Sequence, residues 1–248
     1  MAGGFPVGYS WGGAITGSTP SSSNGVLVTA SVSTNVKGSY TQLVASTAND
    51  CSCLLVTITR SATGSVGFLI DIAVGGSGSE VVIAPNLAYV TLTAAASTSA
   101  SQYLVPCSIP AGSRIAARIQ ASTAATALQI SAICITDAMA SFSPGGFIDD
   151  YGTLTATSLL SAVDAGATTN TKGAYTQLTA STTKDYRGFI LGIGQGTTTS
   201  SSPAGSYMFA TIDVAIGGAG AEKIILGDYQ VMSLVPSAAL QRWHPGSS

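Results

Sequence analysis

Charge is what this chain has least of. Asp, Glu, Lys and Arg make up 8% of its 248 residues, against roughly 25% in an ordinary soluble domain. Nine basic residues against eleven acidic ones leave a net charge of -2. No basic stripe is available to neutralise phosphates and no acidic tail to meet a basic partner, so no nucleic-acid partner is expected. So few charges give little repulsion between copies, which suits a subunit within an assembly better than a free monomer. A homo-oligomer is expected.

Long apolar runs are also missing. Mean hydropathy is +0.42, yet Ser, Thr or Gly interrupts every apolar stretch well short of the roughly 18–20 residues that span a bilayer, and no membrane insertion is expected. The opening MAGGFPVGYSWGGAITGSTPSSS has neither a basic start nor a continuous apolar stretch, so it is not read as a secretory signal and synthesis in the cytoplasm is expected. Only four cysteines occur, Cys51, Cys53, Cys107 and Cys134. One C-x-C and two isolated residues make no four-ligand zinc pattern, so no metal or cofactor is expected, and a reducing compartment would keep all four as thiols. The single histidine, His244, lies in a Pro/Gly-flanked stretch near Ser248. A Ser-His-Asp or Cys-His machine would depend on that one peripheral group, and no enzyme is expected.

Repetition, by contrast, is plain. Gly38-Ser39-Tyr40-Thr41-Gln42-Leu43-Val44-Ala45-Ser46-Thr47 returns as Gly173-Ala174-Tyr175-Thr176-Gln177-Leu178-Thr179-Ala180-Ser181-Thr182, with eight of ten positions identical, and Asn35 and Lys37 are matched by Asn170 and Lys172. Ile70-Asp71-Ile72-Ala73-Val74-Gly75-Gly76-Ser77-Gly78-Ser79-Glu80 returns as Ile212-Asp213-Val214-Ala215-Ile216-Gly217-Gly218-Ala219-Gly220-Ala221-Glu222. The offsets are 175 − 40 = 135 and 213 − 71 = 142, so seven extra residues enter the second copy between the blocks. The Thr/Ser-rich stretch from Thr197 to Gly205, after Gln195 and Gly196, is the expected place for them, a polar loop of the kind in which binding specificity is built.

Each copy reads as short strands between Gly, Ser, Asn and Pro turns. In the first, strands are expected near 25–33, 39–46, 53–60, 66–74, 79–84, 88–94, 102–108, 113–121 and 127–136. Val66, Phe68, Ile70, Ile72 and Val74 alternate with Gly67, Leu69, Asp71 and Ala73, putting core on one face and contact or solvent on the other. The expected fold is all-β, two tandem antiparallel β-sandwich domains of jelly-roll type. An N-terminal arm spans 1–24, the first repeat 25–136, a linker 137–151 and a partial second repeat 152–248. After Glu222 the second copy holds no counterpart of Ile109 to Ile135 and is about two strands short. Truncation is the preferred reading, with an edge supplied by another chain as the alternative. The arm's Phe5, Tyr9 and Trp11 are expected to dock on a partner or on the first domain.

Asp71 with Glu80, and Asp213 with Glu222, are the repeated carboxylates. As a pair they could serve glycoside hydrolysis. The better account has them on exposed strand faces, pairing with Arg or Lys of a neighbouring strand or subunit. The glycine runs after Val74 and Ile216 lack a P-loop Lys-Ser/Thr and are hairpin turns. Tyr40 and Tyr175 could stack on a sugar ring or anchor the first hairpin of each domain, and anchoring is favoured.

The two repeated blocks, with Ile109-Pro110-Ala111-Gly112-Ser113-Arg114-Ile115-Ala116-Ala117-Arg118, resemble repeats in virion proteins of tailed bacteriophages. The resemblance covers most of the first copy and the front of the second. It implies jelly-roll modules in tail fibres, tail-tip appendages or head decorations, usually trimeric, located in the virion and contacting other virion proteins. It brings no catalytic residues. A tail fibre or fibre-base component is expected, with a capsid decoration protein as the runner-up. A carbohydrate-binding module for host-surface glycans, with Tyr175 and Gln195 as contacts, is a further alternative.

Overall fold

The period-two patterns become strands. A computed structural model of the protein describes residues 8–11, 25–60, 66–91, 101–135, 148–186, 188–193, 208–233 and 240–245, with the backbone alone at 8–11, 60, 208–209, 231–233 and 240–245. The chain divides into two compact units, Met1–Ser161 and Ala162–Ser248.

The described residues of unit 1 form nine strands: β1 (Gly8–Trp11), β2 (Val26–Thr29), β3 (Thr41–Val44), β4 (Cys51–Arg60), β5 (Val66–Val74), β6 (Val81–Thr91), β7 (Ser101–Ile109), β8 (Ile115–Ala121) and β9 (Ala127–Ile135). One antiparallel sheet runs β7-β4-β9, with β2 and β1 sharing the far edge of β9; the other runs β3-β8-β5-β6. From β2 to β9 this is the eight-stranded jelly-roll order, with consecutive strands crossing between sheets or turning at hairpins. β8 and β9 are therefore the inner strands on which β3 and β2 depend.

Between the sheets lie the alternating apolar residues. On β7, Tyr103, Val105, Cys107 and Ile109 are buried while Gln102, Leu104 and Ser108 are exposed. Phe68, Ile70 and Ile72 of β5 meet Leu54, Val56 and Ile58 of β4 and Leu128 and Ile130 of β9 in one core. The second face of β5 is covered as well, with Leu69, Asp71 and Ala73 all buried. Residues 148–161 cover it at Gly67, and Lys37 and Arg118 close over Leu69 and Asp71. A Cβ at Gly67 would collide with the carbonyl of Ala156, the Ala156 N–H donates to Gln120 at 3.0 Å, and Ile148 packs on the core. The expected boundary at 151/152 thus moves to 161/162, because the segment after the expected linker belongs to the first sandwich.

Two further expectations are corrected and a third is narrowed. The strands expected at 79–84 and 88–94 are one strand, β6, because Pro85 and Asn86 lie at a register shift against β5 and do not end the ladder. Gly8–Trp11, within the expected N-terminal arm, is strand β1, with Tyr9 opposite Cys134 and Trp11 opposite Ala132 of β9; docking on the first domain was one of its two expected destinations. Cys51 and Cys134 are joined in a disulfide, against the expectation of four thiols. Cys53 and Cys107 are free and buried. Burial pushes the Cys53 thiol up to about 11 and Cys107 to about 12, so neither forms the reactive thiolate near neutral pH. A thiol-reactive dye should therefore titrate no group in the native protein, two in denaturant and four after reduction. Four in denaturant without reductant would refute the cross-link.

Unit 2 holds β10 (Gly188–Ile193), β11 (Met208–Ile216), β12 (Lys223–Ser233) and β13 (Leu240–Pro245), paired as two separate two-stranded sheets, β10-β13 and β11-β12. β11 and β12 reproduce β5 and β6 residue for residue at the offset of 142, including the register shift: Ile70 faces Leu87 and Ile212 faces Tyr229, Ile72 faces Ala84 and Val214 faces Leu226. β10 matches β4 at the offset of 135, and Ile190 pairs with Trp243 of β13 where Leu55 pairs with Leu104 of β7. β13 thus takes the place of β7. His244, expected in a terminal tail, lies in this strand opposite Phe189.

Counterparts of β8 and β9 are lacking among the described residues of unit 2, as the sequence implied. Thr176-Gln177-Leu178 repeats Thr41-Gln42-Leu43 of β3, yet it forms no strand. β3 pairs only with β8, so the same residues without that neighbour have no ladder to join. Leu43 is 5% exposed and Leu178 44%.

Candidate functional site

The repeated aspartate organises a clamp in each unit. In unit 1 the Asp71 side chain is 5% exposed. One carboxylate oxygen accepts from the Lys37 ammonium at 2.6 Å and from the Asn86 backbone N–H at 3.0 Å. The other accepts from Arg118 Nε at 2.8 Å. That backbone N–H is free to do so because β5 and β6 shift register there and Asn86 takes a φ of 51°, a left-handed conformation that Asn tolerates better than most residues. Lys37 also donates to the Asn86 side chain at 2.8 Å and to the Leu69 carbonyl at 3.2 Å. Burial pulls Lys37 below the ordinary lysine range even though the Asp71 carboxylate opposes it. Arg118 stacks over the Tyr40 ring, 4.6 Å from its centre.

Just before β8, Arg114 Nη1 meets Glu80 at 2.9 Å and the Gly75 carbonyl at 3.1 Å. Glu80 is held below the usual carboxylate range, first by its own backbone N–H and then by Arg114 and the Gly78 N–H. Arg114 and Arg118 lie four residues apart, which on an extended chain puts them on one face. Both repeated carboxylates of unit 1 are thus held by arginines at or beside β8.

Unit 2 repeats the clamp with one difference in charge. The Asp228 backbone N–H donates to Asp213 at 2.8 Å, again from a left-handed residue at φ 51°. Lys172 Nζ reaches both Asp213 oxygens at 2.7 Å and Asp228 at 2.6 Å. These bonds raise Lys172 above its ordinary range, Asp213 being the larger cause, and the Lys172 contact chiefly lowers Asp213. Asp228 stands where unit 1 has the neutral Asn86, so two acids share one base. No arginine reaches Asp213 and no ion pair reaches Glu222 among the described residues.

The sequence-derived residues fall into place unevenly. Asp71 and Glu80, expected on an exposed strand face and as a possible subunit interface, are enclosed and paired within unit 1. Asp213 and Glu222 occupy the equivalent positions, with no arginine on either among the described residues. Tyr40 is engaged with Arg118, whereas Tyr175 is 47% exposed. Phe5 and Gln195 lie outside the described residues. Sequence reasoning missed the roles of Lys37, Asn86, Arg114 and Arg118. The match of Lys37 with Lys172 and the paired arginines in one strand were the available signals.

No protein-family model, curated protein or solved structure matches this chain. What the site can do rests on its own geometry: a buried carboxylate fixed by two cations and a backbone N–H joins the β2–β3 connection, β5, β6 and β8 into one rigid face.

Proposed function

We propose that this protein is a structural component of a tailed-phage virion, a tail fibre or fibre-base part that assembles with itself and with other virion proteins. The observation that carries the reading is the use made of the repeated polar residues. In unit 1 the two acids that could have done chemistry are consumed in holding strands together, and Glu80 is pushed away from the raised pKa that a general acid needs. A module repeated for its framework, poor in charge and with jelly-roll strand order, suits a particle subunit. Phe5, Tyr9 and Trp11 of the N-terminal arm are the residues proposed for attachment, Tyr9 and Trp11 from the edge strand β1.

Light scattering of the purified protein over a range of concentrations tests this. A stable trimer is the expected result. A monodisperse monomer at every concentration would remove the assembly reading. Binding to empty heads and not to isolated tails would instead favour the decoration protein. One observation favours a second reading: Tyr175 presents an open aromatic face that its counterpart Tyr40 does not, as a sugar-binding surface would. Silence on a glycan array would end it.

A further inference from the structure

Lys37, Asp71, Asn86 and Asp150 converge from four separate segments of unit 1, and the order in which they touch is that of a reaction. Lys37 Nζ lies 2.6 Å from an Asp71 oxygen and 2.8 Å from the side-chain oxygen of Asn86. The carbonyl carbon of that amide is one C=O bond, about 1.23 Å, beyond the oxygen. On its other side the Asn86 amide nitrogen donates to Asp150 at 3.0 Å, and Asp150 is itself held by the Thr153 hydroxyl. An amine, a carboxylate able to take its proton, an amide carbonyl and an acid on the leaving nitrogen are therefore in contact, one to the next.

The surroundings keep them so. The Asp71 side chain is 5% exposed and that of Lys37 18%, so little water competes for either group. Asn86 follows Pro85 at the register shift between β5 and β6, with its φ of 51°, and its backbone N–H is bound to Asp71. The amide and the acid are thus fixed to each other through the backbone. A structural ion pair is complete with Lys37, Asp71 and Arg118; it requires neither an amide against the lysine nor an acid behind that amide. Burial acts in the same sense, lowering Lys37 toward the neutral amine that a nucleophile must be and raising Asp150 toward the protonated form that donates.

We infer that unit 1 closes an amide bond between the Lys37 and Asn86 side chains, with Asp71 as proton carrier and Asp150 on the leaving group. The Lys37 ammonium gives a proton to Asp71, and the free amine attacks Asn86 Cγ. The Nζ–Cγ bond forms, the Cγ–Nδ2 bond breaks, and the second proton of the attacking nitrogen passes by way of Asp150 to Nδ2, which leaves as ammonia. Asp71 then gives its proton to that ammonia, so both acids end as they began and no other reactant is consumed. Because the Asp71 carboxylate favours the ammonium, the neutral amine is the minor form and the bond follows folding slowly. The product ties the β2–β3 connection to β6 across a sequence separation of 49. It is a single event on the chain itself, independent of the virion reading and of any activity toward a substrate. In unit 2, Lys172 faces Asp228, an acid in place of the amide, and their side chains are 45% and 82% exposed, so water favours the open pair.

Intact-mass spectrometry of the reduced full chain, sampled from purification through prolonged incubation, tests this. The expected result is the loss of one molecule of ammonia, growing with time, and after proteolysis a branched peptide that joins Lys37 to Asn86. Lys37→Arg should keep its ammonia throughout. A loss that persists in that variant would assign it to asparagine cyclisation elsewhere and overturn the inference, as would an unchanged mass in the aged wild-type chain. Asp71→Asn, close to the same shape, should form the bond at least about 100-fold more slowly. Formation at the wild-type rate there would show that Asp71 does not carry the proton and would sink the mechanism. The branched peptide is read in the unaltered chain, so a variant that fails to fold does not leave the question open.

Discussion

Replacing Asp71 by Ala should destabilise unit 1 by about 3–5 kcal/mol, the cost of breaking a buried ion pair by removing one partner. Three donors converge on this carboxylate: the Lys37 ammonium, the Arg118 guanidinium and the Asn86 N–H. Without it Lys37 remains in a site where its side chain is 18% exposed, hydrogen-bonded to the Asn86 and Leu69 oxygens and with Asp150 as a more weakly acting carboxylate. The N–H of Asn86, turned off the β-ladder, has no second acceptor there. The same change at Asp213 should shift unfolding far less, because Lys172 is 45% exposed and water can replace the lost oxygens. The two tryptophans make this measurable in one chain, since Trp11 lies on β1 and Trp243 on β13. In denaturant melts of a Trp243→Phe background, Asp71→Ala should move the transition reported by Trp11 while Asp213→Ala leaves it in place. A loss under about 1 kcal/mol at Asp71 would mean that water reaches the site and the clamp does not hold the sheet.

The strands of unit 1 were legible because period-two alternation is written into Val66–Val74, Ser101–Ile109 and Ala127–Ile135, and because Gly and Pro mark their ends. Where Pro85 and Asn86 interrupt β6 the same rule misled. A proline with a left-handed neighbour reads as a turn, and only the partner strand reveals that the ladder resumes after a register shift. The second face of β5 was read as contact or solvent because nothing in Gly67, Leu69 or Asp71 announces a cover brought from residues 148–161 and from Lys37 and Arg118. The carboxylates were found through repetition, but their partners were not, since Lys37, Asn86 and Arg118 converge from three separate places and periodicity carries no such information. Thr176–Thr179 marks the limit most clearly. Its sequence nearly repeats β3, and its conformation differs because strand structure belongs to a pair of segments and not to one.

That dependence on neighbours leads to the second large effect, in hydrogen exchange. β11 and β12 carry the same register and the same bulge as β5 and β6, so their ladder bonds are close to equivalent and only their surroundings differ. β5 is flanked by β8 and β6 and buried on both faces. Among the described residues β11 has one neighbour, and no residue of unit 2 with a described side chain is fully buried. An isolated two-stranded sheet is marginally stable in water, whereas strands in a closed core open only with global unfolding. A difference of about 3 kcal/mol between the two openings corresponds to roughly 100-fold in exchange rate, at 1.4 kcal/mol per factor of ten. The matched amides of Ile70 and Ile212, and of Ile72 and Val214, should therefore differ by at least that factor in the free protein, with unit 2 the faster. Rates equal within about threefold would mean that the β11-β12 ribbon holds without flanking strands. The absence of strand at residues 176–179 could then no longer be assigned to a missing β8.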